Sequence, residues 1–449
     1  MFSKEYKSHF KQNFQIALPV SLSQLGHISV GVADTIMAGR LGGLPLASAT
    51  IATSVFIPFL MLGIGFSYGA TSLIAKADGE GDKESIAGML KHSFYLNLIL
   101  GVILSVGLYF SSPVLRMLNQ PAEVVEAAIP FAEILALSLF PLMIFQSFKQ
   151  FAEGLSFTKE AMFISISGNI LNIFLINVFT YGWFGVASMG LNGIALATLL
   201  ARFYYAFAMF LFVRLDKRFS FYWEKIKEVK STFLKYKTLF VISFPIGIQM
   251  VIESGAFGFA SIMVGWLGTG EIAAHQIAIN MASVTYMAGS GIAAAATVRV
   301  GNEYGKKNYS GLRKAGFSAF YMVLIYMIFC AIMFILSRFY LPTLYINEPE
   351  IIRMASSLLL IAAFFQLSDG VQVVGLGALR GLGDVRIPTV VVIVAYWIVG
   401  LPLGYVLGFT FKLGIEGVWY GLLIGLTFVA IFLLFRFINK TKQLTSLTR

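Results

Sequence analysis

The stretch Ile36-Met37-Ala38-Gly39-Arg40-Leu41-Gly42 returns 226 residues later as Ile262-Met263-Val264-Gly265-Trp266-Leu267-Gly268. At the same shift Pro19 falls on Pro245, and Ala47, Gly65, Ala70-Thr71 and Gly79 fall on Ala273, Gly291, Ala296-Thr297 and Gly305. With small gaps, Gly154-Leu155 and Lys159 match Gly381-Leu382 and Arg386, while Gly190 and Gly193 match Gly414 and Gly417. A fixed long period marks an internal repeat. It divides the chain into an N-terminal lobe, 1–213, and a C-terminal lobe, 237–449, joined by a basic linker, 214–236.

Each repeat is built from apolar runs. Of the 449 residues, 58% are hydrophobic and 12% charged, about half the charge of a soluble domain, a composition that suits lipid rather than water. Runs long enough to cross a bilayer, about twenty residues, are expected near 14–38, 46–72, 89–110, 124–147, 160–181 and 190–213. In the second half they are expected near 237–264, 272–298, 314–337, 350–378, 386–408 and 414–436. Six spans per half is an even number, so both halves enter the membrane in the same sense. The predicted fold is an all-α membrane protein of twelve transmembrane helices in two six-helix lobes. A pseudo-two-fold axis along the membrane normal relates the lobes, with a central cavity between them.

Lys and Arg test that topology. With the N-terminus inside, 27 of the 33 fall in segments on one face, as the positive-inside rule requires. Both termini are therefore expected to be cytoplasmic, in a multi-pass protein of the cell inner membrane. The segment Met1–Gln12 is polar and basic and no cleavage site follows it, so the first helix is expected to serve as the insertion signal. The net charge of +11 is spread over short loops and does not form a nucleic-acid-binding face. Cys330 is the one cysteine, which excludes an internal disulfide and a cysteine metal cluster.

Enzyme signatures are missing. The segment Gly301-Asn-Glu-Tyr-Gly305-Lys306-Lys307 has the wrong spacing for a phosphate-binding loop, and no loop is long enough to hold an ATPase domain. The chain is read as a non-enzyme without a cofactor, and any uphill work must draw on an ion gradient.

Ionisable residues inside spans are the informative set, since each costs about 2.5–3.5 kcal/mol at a helix centre. Glu253 lies in helix 7, Asp369 in helix 10, Asp34 toward the outer end of helix 1, and Glu133 in helix 4. Arg202 is the sole deep base, so packing against bases cannot account for these acids. Carboxylates lining a wet cavity would bind Na⁺ or H⁺ in competition with a cationic substrate. Neutral oxygens are offered by Asn169, Asn172 and Asn177 in helix 5 and by Gln276 and Asn280 in helix 8, although such residues also serve as interhelical hydrogen-bond glue. Arg202 reads more simply as a snorkelling or pairing residue, His27 lies about a turn inside helix 1 without a strong functional signal, and His275 reads as a packing or capping group.

Several segments carry a family resemblance: Ala33-Asp-Thr-Ile-Met-Ala-Gly-Arg-Leu-Gly42, Ala273-Ala-His-Gln-Ile-Ala-Ile-Asn280, Asp369-Gly-Val-Gln-Val-Val and Gly377-Ala-Leu-Arg-Gly-Leu-Gly-Asp384. With Tyr396-Trp, Gly400-Leu-Pro-Leu-Gly404 and Gly414–Trp419 they span nearly the whole chain. The sequence resembles the multidrug and toxic compound extrusion (MATE) transporters, in particular the NorM-like bacterial branch. The resemblance implies antiport of small organic cations against Na⁺ or H⁺ by alternating access. It puts coupling-ion acids at Glu253 and Asp369, which would hold Na⁺, a helix 1 acid at Asp34, and the helix 5 asparagine at Asn172. Glu133, Asn280 and Gln276 join Asn172 as expected cavity-lining residues. Retention of all four family positions leaves both ions open, and the paired C-terminal acids tilt the reading to Na⁺. Phe365 is a departure, since relatives can carry a tyrosine there. The alternative is a lipid-linked precursor flippase of the same superfamily, which would need a basic cavity where this chain has acids. A monomer is expected.

Overall fold

The computed structural model describes residues 4–118 and 120–446. Twelve helices in it are long and apolar enough to cross a membrane. In the first half these are α1 (Lys4–Leu41), α2 (Gly43–Glu80), α3 (Lys83–Tyr109), α4 (Ala122–Gly154), α5 (Lys159–Tyr181) and α6 (Leu191–Leu215). In the second half they are α7 (Phe233–Gly265), α8 (Thr269–Gly305), α9 (Tyr309–Ser337), α10 (Pro349–Gly381), α11 (Arg386–Thr410) and α12 (Gly414–Ser446). Among the described residues there is no strand.

Several helices outrun their apolar stretches. Both α1 and α2 are 38 residues long, which is about 57 Å at 1.5 Å per residue, against a hydrocarbon core of about 30 Å. Hydropathy marks only the part in lipid. The polar extensions are held by backbone hydrogen bonding and caps, to which an apolar count is blind.

The repeat is written in the backbone as well as in the side chains. Left-handed or otherwise positive φ recurs at matched positions: Gly42 and Gly268 (125° and 157°), Gly81 and Lys307 (72° and 58°), Ser156 and Gly383 (68° and 71°), Gly190 and Gly414 (53° and 59°). A turn that demands this conformation favours glycine, yet each of the middle two pairs tolerates one L-residue. The helix after the second pair starts the same way in both halves. Asp82 Oδ1 accepts from the Ser85 amide at 2.9 Å, and Asn308 Oδ1 accepts from the Gly311 amide at 3.0 Å. Asx side chains at that position satisfy donors the helix itself leaves open.

The chain forms two compact units, one of Leu22–Val251 and one of Met1–Ser21 with Ile252–Arg449. This differs from the division at a 214–236 linker that the repeat suggests, because the first halves of α1 and α7 trade places. Within the first unit, α7 lies hard against α2. A Cβ on Gly65 would stand 2.8 Å from Gly247 Cα, and one on Gly69 would stand 2.8 Å from Ser243 Cα. Within the second, α1 lies against α8. A Cβ on Gly291 would stand 2.6 Å from the Ala17 carbonyl oxygen and close on Ser21, whose hydroxyl donates to Ala288 O at 2.6 Å. Gly65 and Gly291, like Ser21 and Gly247, are mates under the 226-residue shift, so one small-residue contact is made twice. Such contacts let helix backbones approach where lipid supplies no hydrophobic drive.

The linker is docked. Its short helices Lys217–Phe219 and Ser220–Glu228 send Phe219 and Tyr222 into the core of the first unit. Trp223 Nε1 donates to Val213 O at 2.7 Å, and Lys91 Nζ donates to Val229 O at 2.8 Å. Arg218 bridges Asp216 and Glu160 at 2.7 and 2.6 Å. Hydrogen bonding to Arg218 holds the Asp216 carboxyl below its ordinary range.

Candidate ion-coupling sites

In the second unit, the middle of α7 meets the middle of α10, the most enclosed helix of that unit. This places Glu253 (9% exposed) and Asp369 (4%) close enough for their charges to interact. Gln372 lies one turn beyond Asp369 and is fully buried. Its Nε2 donates to Glu253 Oε1 at 2.7 Å, and its Oε1 accepts from the Tyr396 hydroxyl at 3.1 Å. Tyr396 sits in a π-helical stretch of α11, Val394–Gly400, a widened turn often found at functional positions. The next residue, Trp397, donates from Nε1 to Ile252 O at 3.0 Å and so ties α11 to the turn that presents Glu253.

The surroundings are largely apolar, with Gln366 Nε2, three residues before Asp369, buried without a partner among the described residues. Phe257 packs on Phe365 and Tyr396, with ring centroids 6.1 and 5.7 Å away. Trp419 Nε1 donates to His275 Nδ1 at 3.1 Å, which leaves His275 Nε2 carrying the proton it shares with Ser261 Oγ at 2.8 Å. His275 is therefore a neutral packing bracket, in line with its reading from sequence. Among the described residues no hydrogen bond reaches the Asp369 carboxyl. The interiors of the C-terminal spans (238–298, 315–337, 354–379, 387–411, 413–435) contain no Lys or Arg beyond Lys412 at a boundary. Two carboxylates so placed in lipid repel one another unless a cation or a proton joins them.

The first unit holds a differently composed cluster. Asp34 on α1 lies within electrostatic reach of Arg202 and beside Thr198, both on α6. Arg202 is itself turned aside: its Nη1 donates to Ser138 Oγ on α4 at 2.7 Å, and its guanidinium lies 5.1 Å over the Phe56 ring on α2. Asn172 Nδ2 donates to Thr198 Oγ1 at 3.3 Å. Among the described residues, Asp34 Oδ1 and Asn172 Oδ1 are both buried without a hydrogen-bond partner. Gly26 lets α1 press on α5 at Asn169, which accepts from the Tyr205 hydroxyl. His27 stands over Tyr205 at 6.1 Å between rings.

Among the described residues, no hydrogen bond links the remaining expected residues to these clusters. Glu133 is half-buried on α4. Gln276 and Asn280 are exposed, four residues apart on one face of α8, and Asn177 Nδ2 donates to Ile173 O at 2.8 Å. A groove of about 310 Å³, lined by Val102, Ser105, Leu137, Phe140 and Phe203 among others, holds no ionisable group and so offers nothing for ion coupling. Sequence reasoning passed over Gln372, Tyr396, Thr198 and Ser138 as members of these clusters. Gln372 had a usable signal, three residues after Asp369 and hence on its face of the helix.

The MatE family profile matches residues 19–178 and again 245–406, two copies that begin at the same shift as the internal repeat. The multidrug resistance protein NorM of Photobacterium profundum is 32% identical over 442 residues, covering 96% of this chain and 95% of that protein. The multidrug resistance protein MdtK of Yersinia pseudotuberculosis is 33% identical over 440 residues, with 96% and 95% covered. Among solved structures, the eukaryotic MATE transporter AtDTX14 superposes with a TM-score of 0.88 at 21% identity, covering 99% of this chain and all of that one. A multidrug resistance MATE family transporter of the MOP superfamily, described in an outward-facing conformation, gives 0.88 at 22% identity with the same coverage. At these identities the structural likeness speaks to the fold alone.

Proposed function

Because the chain belongs to the MatE family, we propose that it exports small organic cations from the cell in exchange for Na⁺ or H⁺, bound at Glu253 and Asp369. The observation that carries this reading is the paired acids in spans whose interiors hold no Lys or Arg, one held by an oriented amide donor and the other left open to an incoming cation. Relatives named as multidrug resistance proteins support a small-molecule drug substrate. The Lys and Arg distribution, 27 of 33 on one face, supports cytoplasmic termini.

The energetics fit an antiporter with more than one ionic site. A tenfold Na⁺ gradient supplies about 1.4 kcal/mol, and 100 mV adds about 2.3 kcal/mol per net charge moved. One Na⁺ exchanged for one monovalent drug is electroneutral and sustains about tenfold export. A second ion adds another chemical step and one charge of voltage, which raises the ceiling to about a thousandfold or more.

The test is efflux of an ethidium-like cation from loaded cells under an imposed Na⁺ pulse and, separately, a pH step. The expected result is efflux triggered by the Na⁺ pulse and lost in Glu253→Gln and Asp369→Asn. Efflux triggered by neither pulse would sink the antiporter and bring the flippase forward.

A further inference from the structure

The hydrogen-bond chain from Tyr396 through Gln372 to Glu253 has a direction, and that direction suits an ionised Glu253. A carboxamide presents a donor at one end and an acceptor at the other. Here the donor end, Nε2, meets Glu253 Oε1, and the acceptor end, Oε1, receives the Tyr396 hydroxyl. This is the orientation an ionised Glu253 requires. A neutral Glu253 keeps a carbonyl oxygen that accepts from Nε2 and also bears an O–H, from which the same amide turned end for end would accept. The Tyr396 hydroxyl, which both donates and accepts, would then rotate to receive the Nε2–H. Each arrangement keeps two hydrogen bonds along the chain, and the turned one releases the Tyr396 O–H from Gln372. That matters because Gln372 and Tyr396 are fully buried, where an unmet polar group is costly.

We propose that Gln372, oriented by Tyr396, is a positioning residue that adapts the Glu253 site to either charge state, so that one pair of acids takes up Na⁺ when Glu253 is ionised and a proton when it is neutral. This rests on the reading of Glu253 and Asp369 as the coupling-ion site. Asp369 has no such adaptor: with no hydrogen bond from the described residues, it depends on the incoming ion for its partner. The titratable groups facing Glu253 are Asp369 on α10 and Tyr396 on α11, with Tyr286 of α8 beside Tyr396. The π-helical turn then has a purpose, since it brings the phenol to the far end of the amide. Phe365 leaves no hydroxyl at its own position, and the Tyr396–Gln372 chain provides a polar anchor from a different helix.

The experiment is binding of radiolabelled sodium to the purified full-length protein across about pH 6 to about pH 9. Its variants are Gln372→Met, Tyr396→Phe, the two combined, and Glu253→Gln. Without the amide donor an ionised Glu253 is disfavoured, so protons outcompete Na⁺ over a wider range. In Gln372→Met, Na⁺ affinity should fall roughly 10- to 100-fold near neutrality, the worth of a hydrogen bond to a charged group, and recover toward wild type at the alkaline end. Tyr396→Phe should shift the profile in the same direction but less. The combined variant should match Gln372→Met, because Tyr396 acts through the amide. A purely structural role would instead lower binding equally at every pH, with additive losses, and would overturn the proposal. So would a wild-type protein that binds no Na⁺ at any pH. If Gln372→Met does not fold, Tyr396→Phe alone decides, since an unshifted profile there also overturns it. Na⁺ binding that persists in Glu253→Gln would reject the underlying site. Loss in Glu253→Gln beside an unshifted Gln372→Met profile would reject the adaptor alone.

Discussion

The two units carry acids at membrane depth, but they balance them differently. In the first, a single acid, Asp34, shares its surroundings with a base, Arg202, which is held off by Ser138 and Phe56. In the second, two acids, Glu253 and Asp369, share spans that contain no Lys or Arg in their interiors. The first cluster is close to neutral by itself. The second reaches neutrality only by taking on cations or protons, which is the property a coupling site needs. One duplicated scaffold has thus been given two electrostatic designs. A smaller appetite for a free cation is expected of the first cluster, because it holds a base of its own.

The largest effect that would break this contrast is expected from the double variant Glu253→Gln/Asp369→Asn. Ion-driven efflux should fall by roughly a hundredfold or more, since the lost charge–ion contacts are each worth several kcal/mol in a low dielectric, while Asp34→Asn should leave a measurable ion-driven component. Next in size, Arg202→Met should strip Asp34 of its counter-charge. Melting in detergent should show a loss of about 3 kcal/mol, much of it recovered in Asp34→Asn/Arg202→Met. Recovery by removal of the partner is the signature of coupled charges rather than of lost packing.

A third test sharpens the sense in which the units are the same. Gly65→Val and Gly291→Val place bulk at matched helix contacts, where even a Cβ would stand 2.8 Å and 2.6 Å from backbone atoms. Each should destabilise by about 1–3 kcal/mol, and the two should be alike within the error of a thermal-shift comparison. A large difference would show that the repeat governs sequence but not packing strength.

The smallest effect concerns the linker. Asp216 titrates below its ordinary value because of its hydrogen bonds to Arg218. Its contribution is therefore present above that ordinary value and fades as pH falls through the lower, folded one, in the range below about pH 4. As an exposed pair it is worth about 1 kcal/mol or less. Protease nicking of the 217–230 segment should rise modestly there in wild type, and should be insensitive to pH in Arg218→Ala.

Much of this was legible before any coordinates. The twelve spans follow from apolar runs, and the repeat from Pro19/Pro245, Gly65/Gly291 and the matched Ile-Met-x-Gly-x-Leu-Gly segments. The deep acids stand out because lipid penalises them. The helix extents were hidden because polar turns beyond the bilayer carry no hydropathy signal. The exchange of the α1 and α7 segments between compact units was hidden because it depends on which small residues touch. Gln372 and Tyr396 were missed for a related reason. A buried amide and a phenol have no periodic signature, and the π-helical turn that brings Tyr396 inward shifts its register from the one a regular helix would give. Gln276 and Asn280, expected with the site, are exposed on α8 and belong to neither cluster.

The most direct test of the central claim reverses the flow. In proteoliposomes an imposed gradient of an ethidium-like cation should drive radiolabelled sodium, or protons followed by a pH dye, in the opposite direction. The account predicts this ion movement in wild type and in Asp34→Asn, and its loss in Glu253→Gln/Asp369→Asn. Ion movement that survives loss of both C-terminal acids, or that disappears with Asp34 alone, would contradict it and move the coupling site to the first unit.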